Sequence, residues 1–304
     1  MKRLLLGFAL SIACSTSAMA ANIGVSVAWF DDNFLTTMRN AMQEEADSQG
    51  HDIQFLDAQG DIGRQLSQVQ SLAAQGVDAI IINPVDTAAT QMMTAAAITS
   101  GIPLVYVNRQ PEGKDLEREG VVFVGSDQKL AGKLQMEELA KQLGGKGNVA
   151  IMLGELASGA THKRTEGVEE VAANYPDIKI IERQPADYQR TKAINLMNNW
   201  IVGGQDIDAI AANNDEMALG ALIAMQQSGI AADSILVGGI DATRDALEAM
   251  QRGGLDVTVF QDAQGQGGGA VKAATRMING EQVDKITMVP FQLVTKENLD
   301  DFLN

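Results

Sequence analysis

Short apolar runs alternate with longer amphipathic segments along the first third of the chain, which predicts strands alternating with helices. Glycine stands at or just beyond the end of each helical segment, as expected for C-caps. Continuous apolar strands separated by helices are typical of a parallel sheet covered by helices on both faces. The predicted strands are Ile23–Trp29, Asp52–Leu56, Ala79–Ile82 and Pro103–Val107, and the predicted helices are Asn33–Gln49, Ile62–Gln75 and Thr87–Ser100.

A second series of the same kind follows a break in the pattern. Residues 108–120 are rich in turn formers, one more short strand is predicted at Val121–Val124, and Gly125-Ser126-Asp127 is typical of a crossing between domains. The second series has predicted helices at Asp127–Leu143, Lys192–Val202 and Asp215–Ser228, and strands at Asn148–Leu153, Ile178–Arg183, Ile207–Ala212, Ile235–Ile240 and Val257–Phe260. The sequence therefore predicts two similar open α/β lobes, with Asp215 as the N-cap of its helix.

The C-terminal tail is less regular. Ala263–Asn279 predicts a helix although several glycines weaken its start. Met288–Val294 is predicted to be extended, and Lys296–Phe302 is predicted to be a short last helix. The pattern alone does not assign the tail to either lobe.

Residues 1–20 have the pattern of a secretory signal peptide. Lys2 and Arg3 precede an apolar stretch that ends at Cys14 and is too short to span a bilayer, and Ala18-Met19-Ala20 is a small-x-small cleavage site. An uncleaved anchor or a lipid on Cys14 is the alternative. Cleavage before Ala21 would release the protein into the periplasm without a cysteine, and therefore without a disulfide.

The chain is acidic, with 39 Asp and Glu against 23 Lys and Arg and a formal net charge of −16. A surface of this sign repels the phosphates of nucleic acids and of anionic lipids. Neither a nucleic acid nor a membrane surface is therefore expected as a partner. The net charge gives no indication for or against a small uncharged ligand.

Polar side chains stand at the ends of several predicted strands in both halves. The carboxyl ends of parallel strands meet at one edge, where open α/β sheets bind ligands, so these side chains can converge on the gap between the lobes. They are Asp32, Asn83, Asn108 and Arg109 in the first half, and Asn214, Asp241 and Gln261 in the second.

This set suits a sugar or polyol, because carboxylates, guanidinium groups and amides together satisfy hydroxyls that both donate and accept. Aromatic rings at Trp29, Phe34 and Tyr188 could cover the apolar faces of a ring. Individually, Asp32 could serve only as a helix cap and Asn83 only as a turn residue before Pro84. No activated nucleophile or metal-ligand cluster is recognised, so the site is expected to bind without catalysis, metal or cofactor.

The motifs at these positions resemble those of the periplasmic ribose-, galactose- and myo-inositol-type sugar-binding proteins of ABC importers. The resemblance runs over nearly the whole mature chain, and its most specific part is the string from Asn214 to Gly220. The motifs are Asn83-Pro84-x-Asp86, Asn108-Arg109-Gln110, Pro185-Ala186-Asp187, Asn214-Asp215-Glu216-Met217-Ala218-Leu219-Gly220 and Gly239-Ile240-Asp241.

The resemblance implies the type I periplasmic binding protein fold, with two lobes joined by three crossing segments. The expected lobes are residues 21–126 plus 262–290 and residues 127–261 plus 291–304. It further implies a monomer that closes on a sugar in the cleft and delivers it to an inner-membrane ABC permease. A chemoreceptor is a possible second partner.

The same resemblance implies a set of ligand-binding residues, in which Arg164 is placed by the string Arg-Thr-Glu-Gly-Val. The set is Trp29, Asp32, Phe34, Asn83, Asn108, Arg109, Arg164, Tyr188, Asn214, Asp241 and Gln261. Asn108 stands where the ribose and galactose binders carry an aspartate. A neutral amide suits a ring with a hydroxyl on every carbon, so myo-inositol or a related cyclic polyol is favoured over ribose or another pentose or hexose.

Two other classes of protein remain as alternatives. Sugar-responsive repressors share these lobes but need a basic DNA-binding headpiece, and a signal peptide occupies that place here. A sugar-acting enzyme could pair Asp32 with Asp241 across the cleft, although no general acid is evident.

Overall fold

A computed structural model describes residues 20–303, so the predicted signal peptide and Cys14 lie outside the described residues. The strands are β1 (Asn22–Val27), β2 (Asp52–Asp57), β3 (Ala79–Asn83), β4 (Leu104–Val107), β5 (Val121–Gly125), β6 (Lys146–Leu153), β7 (Asp177–Pro185), β8 (Ala209–Ala212), β9 (Leu236–Gly238), β10 (Val257–Phe260), β11 (Ile286–Met288) and β12 (Gln292–Thr295). The helices are α1 (Asn33–Gln49), α2 (Ile62–Gln75), α3 (Gln91–Thr99), α4 (Gln128–Gln142), α5 (Gly159–Ala172), α6 (Arg190–Val202), α7 (Asp215–Gln227), α8 (Arg244–Gln251) and α9 (Ala263–Ile278).

The strands form two six-stranded sheets, one in each lobe. Lobe 1 has the order β11-β5-β4-β3-β1-β2 and lobe 2 has the order β12-β10-β9-β8-β6-β7. All neighbouring strands are parallel except β10 and β12, which are antiparallel. The central strands β3, β4, β5 and β8 are buried along their whole length, because helices cover both faces of each sheet.

Local sequence signals define the ends of the first helices. Asp32 caps α1 and Asp61 caps α2, each accepting a hydrogen bond from the backbone N–H three residues later. Gly50 and Gly76 end these helices in the left-handed conformation. The sequence therefore predicted the bounds of α1 and α2 to the residue.

The chain passes between the two sheets in three segments, near residues 125–128, 260–263 and 288–292. Helix α4 packs on α5 in lobe 2, whereas α9 packs on α1 in lobe 1. The proposed lobe boundaries lie within these three segments. Among residues 20–303, no helix combines the length and the apolar character needed to cross a bilayer.

The structure divides the extended segment Met288–Val294 between two strands and corrects the start of one helix. Strand β11 pairs with β5 in lobe 1, and β12 pairs with β10 in lobe 2. The chain changes lobe around Pro290, which has no N–H for a sheet ladder. Helix α3 begins at Gln91 instead of Thr87, because the Thr87 N–H donates to Ala157 O of the other lobe at 3.1 Å.

Helices α4 and α5 touch through their backbones. A Cβ added at Gly132 would lie 1.9 Å from Arg164 O, and one added at Gly167 would lie 2.2 Å from Lys129 O. Two glycines facing each other's helix therefore permit this close approach. Because α5 carries Arg164, the contact also sets the position of a predicted ligand-binding residue.

We expect Gly132→Ala to lower the free energy of unfolding by about 1–3 kcal/mol, because the added methyl group forces the two helices apart. Gly268→Ala in α9 is the matched control, since its nearest neighbour would be Glu45 Oε2 at 3.5 Å. The control should be neutral or more stable by about 0.5–1 kcal/mol. Urea unfolding of both variants measures the difference, and equal midpoints would contradict the close-packing argument.

Candidate functional site

A cavity lies between the lobes at the carboxyl ends of their strands. Polar side chains form most of its lining, so it suits a small polar molecule. Both lobes contribute side chains, which means that a ligand here would be held from two sides. The lining residues are Asp32, Phe34, Leu35, Asn108, Arg109, Ala160, Arg164, Tyr188, Asn214, Asp241 and Gln261.

Trp29 and Asn83 are the two predicted site residues that do not line this cavity. Trp29 is half-buried against Ala28, Ala58 and Val85 of its own lobe. Asn83 is fully buried below the cavity floor and accepts a hydrogen bond from Ala28 N at 3.3 Å. The structure thus gives both residues supporting positions.

The structure adds Leu35 and Ala160 to the lining. Neither side chain carries a polar group, so no chemical signal in the sequence marked them. A third residue that sequence reasoning missed is Glu155 of lobe 2, which binds Arg109 and Trp29 of lobe 1. A lone glutamate in a loop gives no indication of its partner across the cleft.

Asp32 has two roles in lobe 1. Its Oδ1 accepts from Leu35 N at 2.7 Å and so caps α1. A carboxylate offers about four lone-pair sites, so the cap leaves Asp32 able to accept from a ligand as well. Burial raises the pKa of Asp32, opposed by the Leu35 hydrogen bond and the charge of Arg109.

Asn108 belongs to a chain of buried amide hydrogen bonds. Asn83 Nδ2 donates to Asn108 Oδ1 at 3.2 Å, and Asn108 Nδ2 donates to Gln266 Oε1 at 3.1 Å. Gln266 Nε2 in turn donates to Ser126 Oγ at 2.8 Å, in a crossing segment. The chain fixes the orientation of the Asn108 amide, which keeps one N–H and one lone pair for further bonds.

Arg109 is held at one end of its guanidinium group. Its Nη1 donates to Pro84 O at 3.3 Å and Val85 O at 3.5 Å, and lies 2.8 Å from Glu155 Oε2. The guanidinium carbon is 5.8 Å from the centre of the Tyr188 ring on the opposite lobe. The bound end orients the remaining N–H groups of Arg109.

Arg164 is the centre of the lobe 2 wall. Its Nε donates to Gln128 Oε1 at 2.8 Å, Nη1 to Asn213 O at 2.5 Å, and Nη2 to Gln261 Oε1 at 2.6 Å. Within residues 20–303, the buried Gln261 Nε2 has no hydrogen-bond partner. It is therefore a donor available to a ligand in the cavity.

Asp241 supplies the carboxylate of this wall. Its Oδ1 lies 3.6 Å from Arg164 Nη1, and the side chain is 7% exposed. Burial raises the pKa of Asp241 well above its usual value, while the charge of Arg164 opposes the rise. Asp241 and Ala242 both have positive φ, at 128° and 51°, and such backbone strain is concentrated at functional sites.

Tyr188 reaches the cavity because Gly154 has no side chain. A Cβ at Gly154 would lie 2.1 Å from the Tyr188 ring. The hydroxyl groups of Tyr188 and Thr161 are hydrogen-bonded at 2.7 Å, which fixes the ring. An aromatic face is thus held beside the polar groups of the site.

The prediction that Asp215 caps α7 was wrong. Asn214 is the N-cap, and its Oδ1 accepts from Met217 N at 3.0 Å. Asp215 turns into lobe 2, where it accepts from Thr243 N at 2.7 Å and from Thr258 Oγ1 at 2.7 Å. These bonds tie α7 to the loop that carries Asp241, so Asp215 supports the site from below.

A family model for a periplasmic binding protein domain matches residues 23–282. A putative rhizopine-binding protein of Rhizobium meliloti is 47% identical over 99% of each chain. The ribose import binding protein of Bacillus subtilis is 34% identical, covering 90% of this chain and 87% of the relative.

A solved structure extends these similarities to the fold. It is an ABC transporter solute-binding protein from Bacillus halodurans with bound myo-inositol. It is 43% identical and has a TM-score of 0.89, with 95% of this chain and 99% of that chain covered.

Asp215 is expected to make stability depend on pH. Burial raises its pKa to about 6, although Thr258 and Thr243 donate to the carboxylate. Because the folded state then binds the proton more tightly than the unfolded state, this contribution is present below about pH 4 and is lost as the pH rises through about 6. We expect wild type to lose about 2–3 kcal/mol relative to Asp215→Asn over that interval.

Denaturant unfolding of both proteins between pH 4 and pH 7 measures this difference. Asp32 also has a raised pKa and is present in both proteins. Because the charge of Asp215 contributes to the raised pKa of Asp241, the difference between the two proteins reports Asp215 together with its effect on Asp241. Parallel stability curves would contradict the assignment.

Proposed function

The chain belongs to the periplasmic binding protein family, and on that premise we propose that it binds myo-inositol or a related cyclic polyol in the inter-lobe cleft. The family and the two-lobed α/β fold class predicted from the sequence are confirmed. The predicted class of function is confirmed as well, since the family consists of substrate-binding proteins and not of enzymes.

The observation that carries the proposal is the set of polar groups that face each other across one inter-lobe cavity. Asp32 and Asp241 offer acceptors, Arg109 and Arg164 offer donors, and Gln261 offers a free N–H. Hydroxyl groups around a ring can donate to the first pair and accept from the second.

Two considerations favour a cyclic polyol over an aldose. The Bacillus halodurans relative, which holds myo-inositol, is more similar to this chain than the ribose-binding relative of Bacillus subtilis. The Asn108 amide is neutral and held in one orientation by Asn83 and Gln266. It can therefore donate to one hydroxyl and accept from its neighbour, as adjacent ring hydroxyls allow. Ribose remains the alternative.

We also propose the setting in which this binding operates. Cleavage after Ala20 releases a monomer into the periplasm, and its closed form presents the ligand to an inner-membrane ABC permease. Family membership supports export and the permease partner. Closure follows from a cavity lined by both lobes, since the closed form makes ligand contacts that separated lobes lack.

Isothermal titration calorimetry with myo-inositol, xylitol, ribose and galactose tests the ligand class. We expect myo-inositol to bind most tightly and to lower the radius of gyration measured by small-angle scattering. If ribose binds more tightly than myo-inositol, the proposed ligand is a pentose and not a cyclic polyol. No binding of any of the four compounds would contradict the proposed function.

We expect Asp241→Asn to weaken myo-inositol binding by about tenfold or more, because a hydrogen bond to a charged group contributes about 1.5–3 kcal/mol. Asparagine tolerates positive φ better than alanine and so limits backbone effects at this position. Lys141→Ala is the control, since Lys141 is exposed in lobe 2 and pairs with Glu138 on its own helix. Calorimetry that gives less than a threefold loss for Asp241→Asn would remove Asp241 from the site.

A further inference from the structure

We propose that Glu155 is a positioning residue that closes the cleft and holds Arg109 against the ligand. Its carboxylate extends from lobe 2 to two groups of lobe 1, the Arg109 guanidinium and the Trp29 indole. We call these three residues the inter-lobe bridge. The inference rests on the proposed function, because it assigns a role in binding the same ligand.

Both carboxylate oxygens of Glu155 are used. Oε2 lies 2.8 Å from Arg109 Nη1, and Oε1 accepts from Trp29 Nε1 at 2.5 Å. The side chains of Arg109 and Glu155 are only 6% and 16% exposed. At this burial a charge-assisted bond is screened little by solvent, in contrast to the exposed ion pairs on the helices.

Trp29 is fixed in lobe 1 with its N–H directed across the cleft. Its ring packs on Ala28, Ala58 and Val85, and it lies so close to Gly60 that an added Cβ there would be 2.1 Å away. The ring therefore cannot follow lobe 2 when the lobes separate. Its bond to Glu155 belongs to the closed arrangement.

The residues that follow Glu155 also contact lobe 1. Ala157 O accepts from Thr87 N at 3.1 Å, and Gly159 N donates to Thr87 Oγ1 at 2.9 Å. The next residue, Ala160, lines the ligand cavity. The loop between β6 and α5 thus connects the inter-lobe bridge to the ligand cavity. When Glu155 approaches lobe 1, Ala160 therefore approaches the ligand as well.

Arg109 links the bridge to the ligand. Pro84 O and Val85 O hold its Nη1 from within lobe 1, so these two bonds need no residue of lobe 2. Glu155 adds a negative charge to the same nitrogen only when lobe 2 is in place. The closed form therefore gains an ion pair that the open form lacks, and such differential contact shifts the equilibrium towards closure. The ion pair with Glu155 also fixes the guanidinium group of Arg109 beside the cavity.

Stopped-flow tryptophan fluorescence with myo-inositol tests the bridge in wild type, Glu155→Gln and Glu155→Ala. The chain has two tryptophans. Trp200 lies in the core of lobe 2, whereas Trp29 lies at the inter-lobe bridge, so a change at the bridge alters the emission of Trp29. We expect Glu155→Ala to raise the dissociation rate constant about tenfold and to change the association rate constant less than threefold. The ligand-induced emission change of Trp29 should be lost in Glu155→Ala and retained in part in Glu155→Gln.

Glu169→Gln is the matched control, since Glu169 loses the same charge in lobe 2 but pairs with the exposed Arg183. Trp29→Phe assigns the emission signal. The thermal midpoint of unliganded Glu155→Ala should equal that of wild type, whereas its rise on adding ligand should be smaller. A lower midpoint without ligand would show that the variant folds less stably. A smaller rise with ligand alone would show that Glu155 acts in closure.

Dissociation rates within twofold of wild type in both Glu155 variants would overturn the bridge. Failure of wild type to bind myo-inositol would instead contradict the proposed ligand. In that event the same comparison with xylitol or ribose, whichever binds wild type, decides the bridge.

Discussion

The buried guanidinium group of Arg164 is the constraint on which the site depends. Its side chain is 5% exposed, and burial of such a charge is costly unless its N–H groups are satisfied. The acceptors come from three separate segments: Gln128 at the start of α4, Asn213 after β8 and Gln261 after β10. Gln128 and Gln261 also stand beside crossing segments. The same side chain therefore joins the ligand wall to the connections between the lobes.

The two lobes contribute to the site in similar ways. In each, a helix cap at the sheet edge lines the cavity, with Asp32 capping α1 and Asn214 capping α7. In each, an arginine is held by surrounding carbonyl oxygens, namely Arg109 in lobe 1 and Arg164 in lobe 2. Under the proposed function, a ligand between the lobes completes bonds that neither lobe offers alone. Two-sided contact of this kind couples binding to closure.

Carboxylates in and below the cavity have raised pKa values because burial outweighs their stabilising partners. Asp241 has the charge of Arg164 nearby, whereas Asp215 relies on the hydroxyl groups and backbone N–H of threonines. Under the proposed function, a hydroxyl-rich ligand donates to Asp241, which lines the cavity, and replaces the water that burial removed. The electrostatic cost of forming the site is thus offset most fully when the ligand is present.

The sequence by itself determined the family and most of the helices and strands, and it proposed a polar site. Apolar periodicity, caps and glycines located α1 and α2 to the residue. Nine of the eleven proposed ligand residues line one cavity, mostly because strand ends meet at one sheet edge, whereas Arg164 in α5 was placed by the family motif. Tertiary structure alone decided what depends on packing between distant segments. Asn214 caps α7 because Asp215 finds donors in a loop 28 residues away, and Glu155 meets Trp29 across the cleft. Such pairings follow from the relative placement of the lobes, and no local pattern records that placement.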